Sequence, residues 1–193
     1  MVLHVHSQGY IVPNGVTILP GPTRSEIHVI QNPTNGDYTG FTFDSQGGDT
    51  FLFNPFLDEQ VRTFLVSAND PVSLQPILSH AYPELTYPNT YAFSQGNPFY
   101  LGFYTGYAPQ SGIYSNPVFG WGEFVNNSGV IELLDSGLEI QGGGIYAGSQ
   151  TIIEVPEPRM LAVLAIGGAM LGCCSMRRLK SKRVRVQGSS PKI

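Results

Sequence analysis

A run of seventeen residues without a charged side chain, residues 160–176, places the strongest constraint on how this chain folds. The run reads MLAVLAIGGAMLGCCSM and is flanked by Arg159 and Arg177. As a helix it would measure roughly 26 Å at ~1.5 Å per residue, a little less than the ~30 Å hydrocarbon core of a bilayer. Long basic side chains at both ends can reach the interface and make up the difference. We therefore expect one C-terminal transmembrane helix, with a buried helix of a globular domain as the alternative.

Six basic residues follow this run within residues 177–185. Lys and Arg beside a membrane span stay on the cytoplasmic side, which would place residues 177–193 in the cytoplasm and residues 1–155 across the membrane. A nucleic-acid patch is the alternative interpretation of such a cluster. We expect residues 184–193 to be a disordered cytoplasmic tail. The basic residues are Arg177, Arg178, Lys180, Lys182, Arg183 and Arg185.

The charge of the chain is split between two very different parts. Residues 1–155 contain two cations and thirteen anions, a balance of −11, and the remaining residues have a balance of +7, so the formal net charge of −4 is only an average. An acidic body with two arginines is a poor partner for phosphate backbones, so we expect no nucleic-acid binding. Both cysteines, Cys173 and Cys174, lie in the basic part, which excludes a disulfide framework and a thiol nucleophile in the body.

The segment Pro156-Glu157-Pro158 lies just before the apolar run. Two prolines around a carboxylate cannot continue a strand or a helix, so this stretch is expected to be extended and exposed. The tripeptide, the apolar run and then Arg177-Arg178-x-Lys180 follow in order, and residues 154–183 resemble the PEP-CTERM sorting signal of bacterial exported proteins. That segment is also known as the "ice-binding protein C-terminal" motif, a name that is not evidence of ice binding.

The resemblance implies that the chain is the substrate of an exosortase, a membrane-embedded cysteine transpeptidase-like enzyme. Cleavage near Pro156, Glu157 and Pro158 would follow insertion of the helix into the inner membrane as a transient anchor. Proteins of this kind are delivered to the envelope or the extracellular matrix, so the implied destination is the cell surface or the exterior. This chain departs from the family in continuing through residues 184–193, whereas most members end shortly after the basic cluster.

Export also requires an N-terminal signal, and residues 1–20 do not contain one. A secretory signal needs about 7–15 continuous apolar residues after a basic segment. Residues 1–20 have at most two or three apolar residues in succession and no basic segment. Either the natural start lies upstream of Met1 or the chain inserts through its C-terminal anchor, and the strand-like pattern of residues 2–6 favours the first interpretation.

Residues 1–153 are predicted to form one exported all-β domain, an antiparallel β-sandwich or jelly roll. Short runs rich in Val, Ile, Phe, Tyr and Thr are separated by turn signals such as Asn14-Gly15 and Gly47-Gly48, and no long window has helical periodicity. The five prolines of residues 67–98 predict a long surface connection. The predicted strands cover residues 2–6, 16–19, 26–31, 38–43, 50–53, 61–66, 99–104, 118–125, 129–134, 138–141, 144–147 and 150–155.

Residues 99–155 contain glycine-aromatic segments, among them Phe119-Gly120-Trp121-Gly122, that resemble the ectodomain found ahead of PEP-CTERM signals in planctomycete-like bacteria. No defined activity accompanies that ectodomain. We expect a non-catalytic structural or binding module without a cofactor, and extracellular polysaccharide is a possible partner. A carbohydrate-binding module is the alternative, and an exported glycan-cleaving enzyme is a further one.

Several residue patterns suggest sites, each beside a plainer interpretation. His4-x-His6 can face one side of a strand and bind a metal, with His28 and His80 remote in sequence, although unliganded surface histidines are commoner. Asp44 and Asp49 flank two glycines, which suggests a Ca²⁺ loop. The closely spaced acidic ligands of such loops are missing, so a plain turn is the favoured interpretation.

Glu132, Asp135 and Glu139 could form the carboxylate pair of a glycosidase, but on a regular strand the first two face opposite sides, so a shared site needs a bulge. Solvated carboxylates are the favoured interpretation. Trp121 with neighbouring tyrosines could stack on sugars, although core aromatics are favoured. Asn126-Asn127-Ser128 matches a glycosylation sequon, which is usually silent in bacteria. The tyrosines in question are Tyr104, Tyr107 and Tyr114.

Overall fold

The computed structural model of the chain describes residues 10–12, 14–32, 37–56, 61–105, 117–140 and 143–153. All of them belong to one compact unit, Met1–Glu154. The described residues form twelve strands and one short helix. In chain order these are β1 (Tyr10–Ile11), β2 (Val16–Leu19), β3 (Arg24–Asn32), β4 (Asp37–Gly47), β5 (Thr50–Pro55), β6 (Val61–Val66), β7 (Pro71–Val72), α1 (Leu74–Leu78), β8 (Thr90–Ala92), β9 (Pro98–Thr105), β10 (Val118–Asn127), β11 (Val130–Ile140) and β12 (Ile145–Tyr146).

Ten of these strands form two five-stranded sheets in which neighbouring strands are antiparallel. Sheet I has the strand order β2-β3-β4-β5-β8, and sheet II has the order β1-β11-β10-β9-β6. At the turn from β4 to β5, Gly47 and Gly48 have φ of 100° and 62°, which glycine adopts without steric cost. The all-β, antiparallel class predicted from the sequence is confirmed.

The inner faces of sheets I and II share one apolar core that is rich in phenylalanine. Along β5 the buried residues alternate, with Phe51 and Phe53 pointing inward, as expected for a strand that has one covered face. Phe41 of sheet I and Phe103 of sheet II lie 5.8 Å apart between ring centroids. Burying a phenylalanine side chain contributes about 1.5–3 kcal/mol. The aromatic core therefore holds the two sheets together.

Sheet II is covered on its second face as well. Its central strands β9 and β10 are buried continuously from Leu101 to Thr105 and from Val118 to Gly122, which requires that both of their faces are shielded from water. The cover consists of α1 and a two-stranded sheet, β7-β12. Strand β7 lies over β9 and β10, and β12 lies over β10 and β11. Residues 143–153, which include β12, are called the strap below.

The structure corrects two details of the predicted strands. The predicted strands 129–134 and 138–141 overlap a single strand, β11 (Val130–Ile140), because a bulge absorbs the change in alternation between them. Residues 67–98 are more than a surface connection, since they contain β7, α1 and β8 and bury four apolar side chains. Those side chains are too widely spaced to give a periodic pattern. They are Val72, Ile77, Leu85 and Phe93.

The remaining predicted elements are only partly covered by the structure. Within the predicted strand 150–155, Ile152 forms an isolated bridge to Ile145. The predicted strand 2–6 and the predicted transmembrane helix 160–176 lie outside the described residues. In the part of the chain that the structure describes, no helix is long and apolar enough to cross a bilayer.

Candidate functional site

The candidate carboxylates Glu132, Asp135 and Glu139 all lie on the outer face of sheet II. Directly opposed residues of antiparallel strands point to the same side of a sheet. Glu139 is opposite Phe119, and Asp135 is opposite Glu123. Glu132 is opposite Val125, which lies two residues after Glu123 in β10. Because side chains two residues apart on a strand share a face, the register places the three carboxylates along one surface, partly beneath the strap.

A β-bulge brings Glu132 and Asp135 to the same face. The pairing of β10 with β11 shifts after Glu123, which leaves Leu134 as the extra residue. The two carboxylates are nevertheless engaged separately. An oxygen of Glu132 accepts a hydrogen bond of 3.1 Å from Asn127 Nδ2, and Asp135 Oδ1 accepts one of 2.8 Å from the backbone N–H of Ser136. Both bonds are exposed, as expected for solvated carboxylates.

Glu139 is in a different environment, because its side chain is 0% exposed. Neither carboxylate oxygen has a hydrogen-bonding partner of good geometry among the described residues. Burial raises the pKa of the Glu139 carboxyl from 4.5 to about 7, and the backbone N–H of Gly144 in the strap partly opposes this rise. The carboxyl is therefore neutral below about pH 7 in the folded protein. The sequence showed an ordinary acidic position, since nothing in it reveals that the strap covers this strand.

Trp121 fastens the strap to sheet II. Its indole lies against Gly137, where an added Cβ would be 2.6 Å from Nε1, so only glycine leaves room for the ring. The indole N–H donates a 2.8 Å hydrogen bond to the carbonyl oxygen of Ser149 in the strap. Trp121 is 1% exposed and Tyr104 is 0% exposed, which confirms the interpretation of both as core aromatics. Tyr107 and Tyr114 lie outside the described residues.

The outer face of sheet I is lined by charged residues and is partly covered by Phe56, whose ring lies 5.5 Å from the ring of His28. Arg24 Nε lies 3.5 Å from a carboxylate oxygen of Glu26 and 3.5 Å from Asp44 Oδ1. Beside this network, the ring of Tyr38 is 4.9 Å from the ring of His28. Tyr38 is 58% exposed. An exposed aromatic ring among hydrogen-bonding groups is the kind of surface on which a sugar ring can stack.

The suggested Ca²⁺ loop is a turn whose two carboxylates have other partners. Asp44 belongs to the network with Arg24 on sheet I. Asp49 Oδ1 accepts a 3.0 Å hydrogen bond from Asn126 Nδ2. Since the two side chains are drawn to different partners, the favoured interpretation as a plain turn is supported.

Asn126 links the two sheets, a role that the sequence did not reveal. Its side chain is buried, and Nδ2 also donates a 2.7 Å hydrogen bond to the carbonyl oxygen of Phe93. Its Oδ1 accepts a 2.8 Å bond from the N–H of Gly129. The amide that a glycosylation sequon would modify is thus occupied in the folded body. The only sequence signal was the turn-forming run Asn-Asn-Ser-Gly that contains it.

The remaining candidates are separated or lie outside the described residues. His28 is on sheet I, and His80 is exposed just after α1. His4 and His6 are outside the described ranges, as are the sorting residues 156–158 and the basic cluster 177–185. Among the side chains that the structure does describe, no three His, Cys, Asp or Glu residues come close enough to hold a metal ion.

Comparison with known proteins gives no match to this chain among protein-family models, curated proteins or solved structures.

Proposed function

We propose that this chain is an exported envelope or extracellular-matrix protein that an exosortase sorts and cleaves through a C-terminal PEP-CTERM signal. In this proposal residues 1–153 are a β-sandwich body outside the cytoplasm, and residues 160–176 are a helix in the inner membrane. The observation on which the proposal rests is the order Pro156-Glu157-Pro158, apolar run and basic cluster. After processing, the body would remain at the cell surface or be released.

The charge distribution supports this arrangement. The body contains no lysine, and its two cations are both engaged on the sheets, Arg24 with Glu26 and Asp44, and Arg62 with Glu84. The basic cluster of residues 177–185 provides the cytoplasmic charge that orients a membrane span. The acidic body and the basic tail would then lie on opposite sides of the membrane.

In the proposal the body is not an enzyme but a structural or binding module. The two carboxylates that the bulge brings to one face, Glu132 and Asp135, form separate exposed hydrogen bonds, and Glu139 is sealed beneath the strap. A search for polysaccharide hydrolysis by the full chain should find none. Hydrolysis that Glu132→Gln abolishes would instead favour an exported glycan-cleaving enzyme.

Intact-mass analysis tests the sorting proposal. The full chain, expressed behind an export signal in a Gram-negative host with an exosortase, should lose the residues beyond the tripeptide. In the same host without the exosortase it should extend to Ile193. Glu157→Gln should block processing, whereas Glu154→Gln, a carboxylate just outside the tripeptide, should not. A C-terminus at Ile193 in both hosts would contradict the proposal.

Reporter fusions test the orientation separately. Green fluorescent protein attached after Ile193 should fluoresce in the host without exosortase, because the proposal places the C-terminus in the cytoplasm. Alkaline phosphatase at the same position should be inactive. An active phosphatase would show that the tail crosses the membrane and would contradict the assignment of residues 177–185 as a cytoplasmic flank.

A carbohydrate-binding body is the second candidate, and the exposed ring of Tyr38 beside His28 favours it. In that case Tyr38→Ala should weaken the binding of the full chain to insoluble polysaccharide about 5- to 30-fold, because ring stacking contributes about 1–2 kcal/mol. Tyr87→Ala is the matched control, since Tyr87 is also 58% exposed but lies away from sheet I's charged network. Equal retention of the two variants would argue against this second role.

A further inference from the structure

Glu139 is a buried acid, and among the described residues the strap is its close cover. On its own sheet, its neighbours across β10 and β1 are Phe119 and Ile11, which offer no hydrogen bond from their side chains. From above, Gly144 contributes a backbone N–H. Gly144 has φ of 120°, and an added Cβ there would collide with the carbonyl oxygen of Val72. The strap therefore fits closely over this part of sheet II.

The strap is held by a small number of identifiable contacts. Ile145 pairs with Val72 in the cover sheet, and Ile145 and Ala147 are fully buried. The N–H of Ala147 donates to the carbonyl oxygen of Asp70 at 2.9 Å, and Trp121 donates to Ser149. These contacts belong to one short segment, so they can be lost together without separating the two large sheets.

The ionisable groups around Glu139 are separated from it or engaged elsewhere. Burial is the main influence on its carboxyl, followed by the Gly144 N–H. Across sheet II from Glu139, the paired residues are Phe119 on β10, Tyr104 on β9 and Arg62 on β6. Arg62 binds Glu84. The other described ionisable groups on the elements packed at this face are Tyr100, Glu123, Glu132 and Asp135 of sheet II and Asp70, His80, Tyr82 and Tyr146 of the cover.

We propose that Glu139 is a proton-controlled latch: the protonated carboxyl allows the strap to lie closed on sheet II, and loss of the proton lifts the strap. A neutral carboxylic acid is tolerated among apolar side chains, whereas a carboxylate without partners is strongly disfavoured there. Lifting the strap admits water to the carboxylate, which is the least disruptive way to solvate it. Sheet I and the phenylalanine core need not change.

The direction of the pH effect follows from the pKa of Glu139, which is about 7 when the strap is closed against 4.5 when the carboxyl is exposed. The strap is most stable below about pH 4.5. Between about pH 4.5 and 7 the equilibrium constant for opening rises up to about 10-fold per pH unit, and above about pH 7 it levels off. A strap that responds in this range would open at neutral pH and close in mildly acidic surroundings.

Trp121 provides a direct reporter because it is the single tryptophan of the chain and donates to the strap. In the full chain, purified in detergent, its emission maximum should shift to longer wavelength from pH 5 to pH 8 as water reaches the indole. Glu139→Gln should stay at the short-wavelength position throughout. Gly144→Ala, which cannot close against Val72, should stay at the long-wavelength position and serve as the open reference.

Hydrogen exchange measured by mass spectrometry, corrected for intrinsic exchange, separates strap opening from global unfolding. Protection of peptides within residues 143–153 should fall at least 10-fold from pH 5 to pH 8, while peptides from β4 and β5 should keep theirs. Equal strap protection at both pH values would overturn the latch, as would equal losses in the strap and in sheet I. The wild-type comparison decides the matter even if one of the variants fails to fold.

Discussion

Sheets I and II have the same number of strands, yet their outer faces are covered to different extents. The outer face of sheet I is only partly covered, and its charged residues Arg24, Glu26 and Asp44 stay partly exposed and form loose pairs at 3.5 Å. The outer face of sheet II is closed by the strap, and the pKa of Glu139 is raised there by burial. The same residue type is thus an ordinary surface charge on one sheet and a neutral buried acid on the other. The difference arises from the strap, which follows β11 in the chain and lies over sheet II.

The largest expected effect comes from removing the residue that fastens the cover. Trp121→Ala should lower the free energy of unfolding by about 3–5 kcal/mol, because it leaves a cavity beneath the strap. Urea denaturation at pH 5 measures the change. The control on sheet I is Tyr38→Ala, which should alter stability by no more than about 0.5 kcal/mol because the ring is mostly exposed. Similar losses in both variants would mean that the outer faces are not different.

A smaller effect is expected from neutralising the buried acid. A carboxyl whose pKa is raised contributes fully to stability below about pH 4.5 and loses this contribution as the pH rises to about 7. Glu139→Gln should therefore stabilise the protein at pH 8 by up to about 3 kcal/mol and flatten the pH dependence. Glu26→Gln on sheet I is the matched control and should leave the pH dependence as in wild type. A wild-type protein equally stable at pH 5 and pH 8 would refute this prediction.

The smallest effect compares the two arginines of the body. Arg62 binds Glu84 through two hydrogen bonds of 2.7 and 2.5 Å and joins β6 to the segment after α1. Among the described residues, Arg24 makes the two longer contacts on sheet I. We expect Arg62→Met to cost about 1 kcal/mol and Arg24→Met less than about 0.5 kcal/mol. The reverse order in urea denaturation would show that the covered sheet gains nothing from its tighter ion pair.

The sequence predicted structure best for strands that have one buried face and one exposed face. In β5 the run of Thr and Phe over residues 50–53 predicted the strand, the glycines at Gly47 and Gly48 predicted the turn, and the structure shows that Phe51 and Phe53 face the core. The sequence did not predict the bulge at Leu134; it indicated only that a site shared by Glu132 and Asp135 would need one. A single extra residue in a strand resembles a gap between two strands. Local patterns thus predicted the strands well, because they depend on neighbours in sequence.

The covered face of sheet II could not be predicted in this way. Residues 67–84 bury few apolar residues, at spacings without a regular period, so they resembled a connection. Residues 144–147 and 150–155 were predicted as strands, but nothing in their pattern indicated that they cover sheet II. The environment of Glu139 depends on how these segments lie on sheet II, and its pKa followed only when their positions were known. The link that Asn126 makes between the sheets was hidden for the same reason. Burial by remote segments leaves little trace in a local pattern.

The most direct test of the contrast between the sheets is an NMR titration of the glutamate side-chain carboxyls in the full chain, with Glu139 assigned through Glu139→Gln. We predict a midpoint for Glu139 clearly above the ordinary value of 4.5 and no higher than about pH 7, the closed-strap value, because opening of the strap lowers the observed midpoint. A midpoint near 4.5 would mean that water or a charged partner reaches the carboxyl, and it would contradict both the closed strap and the latch.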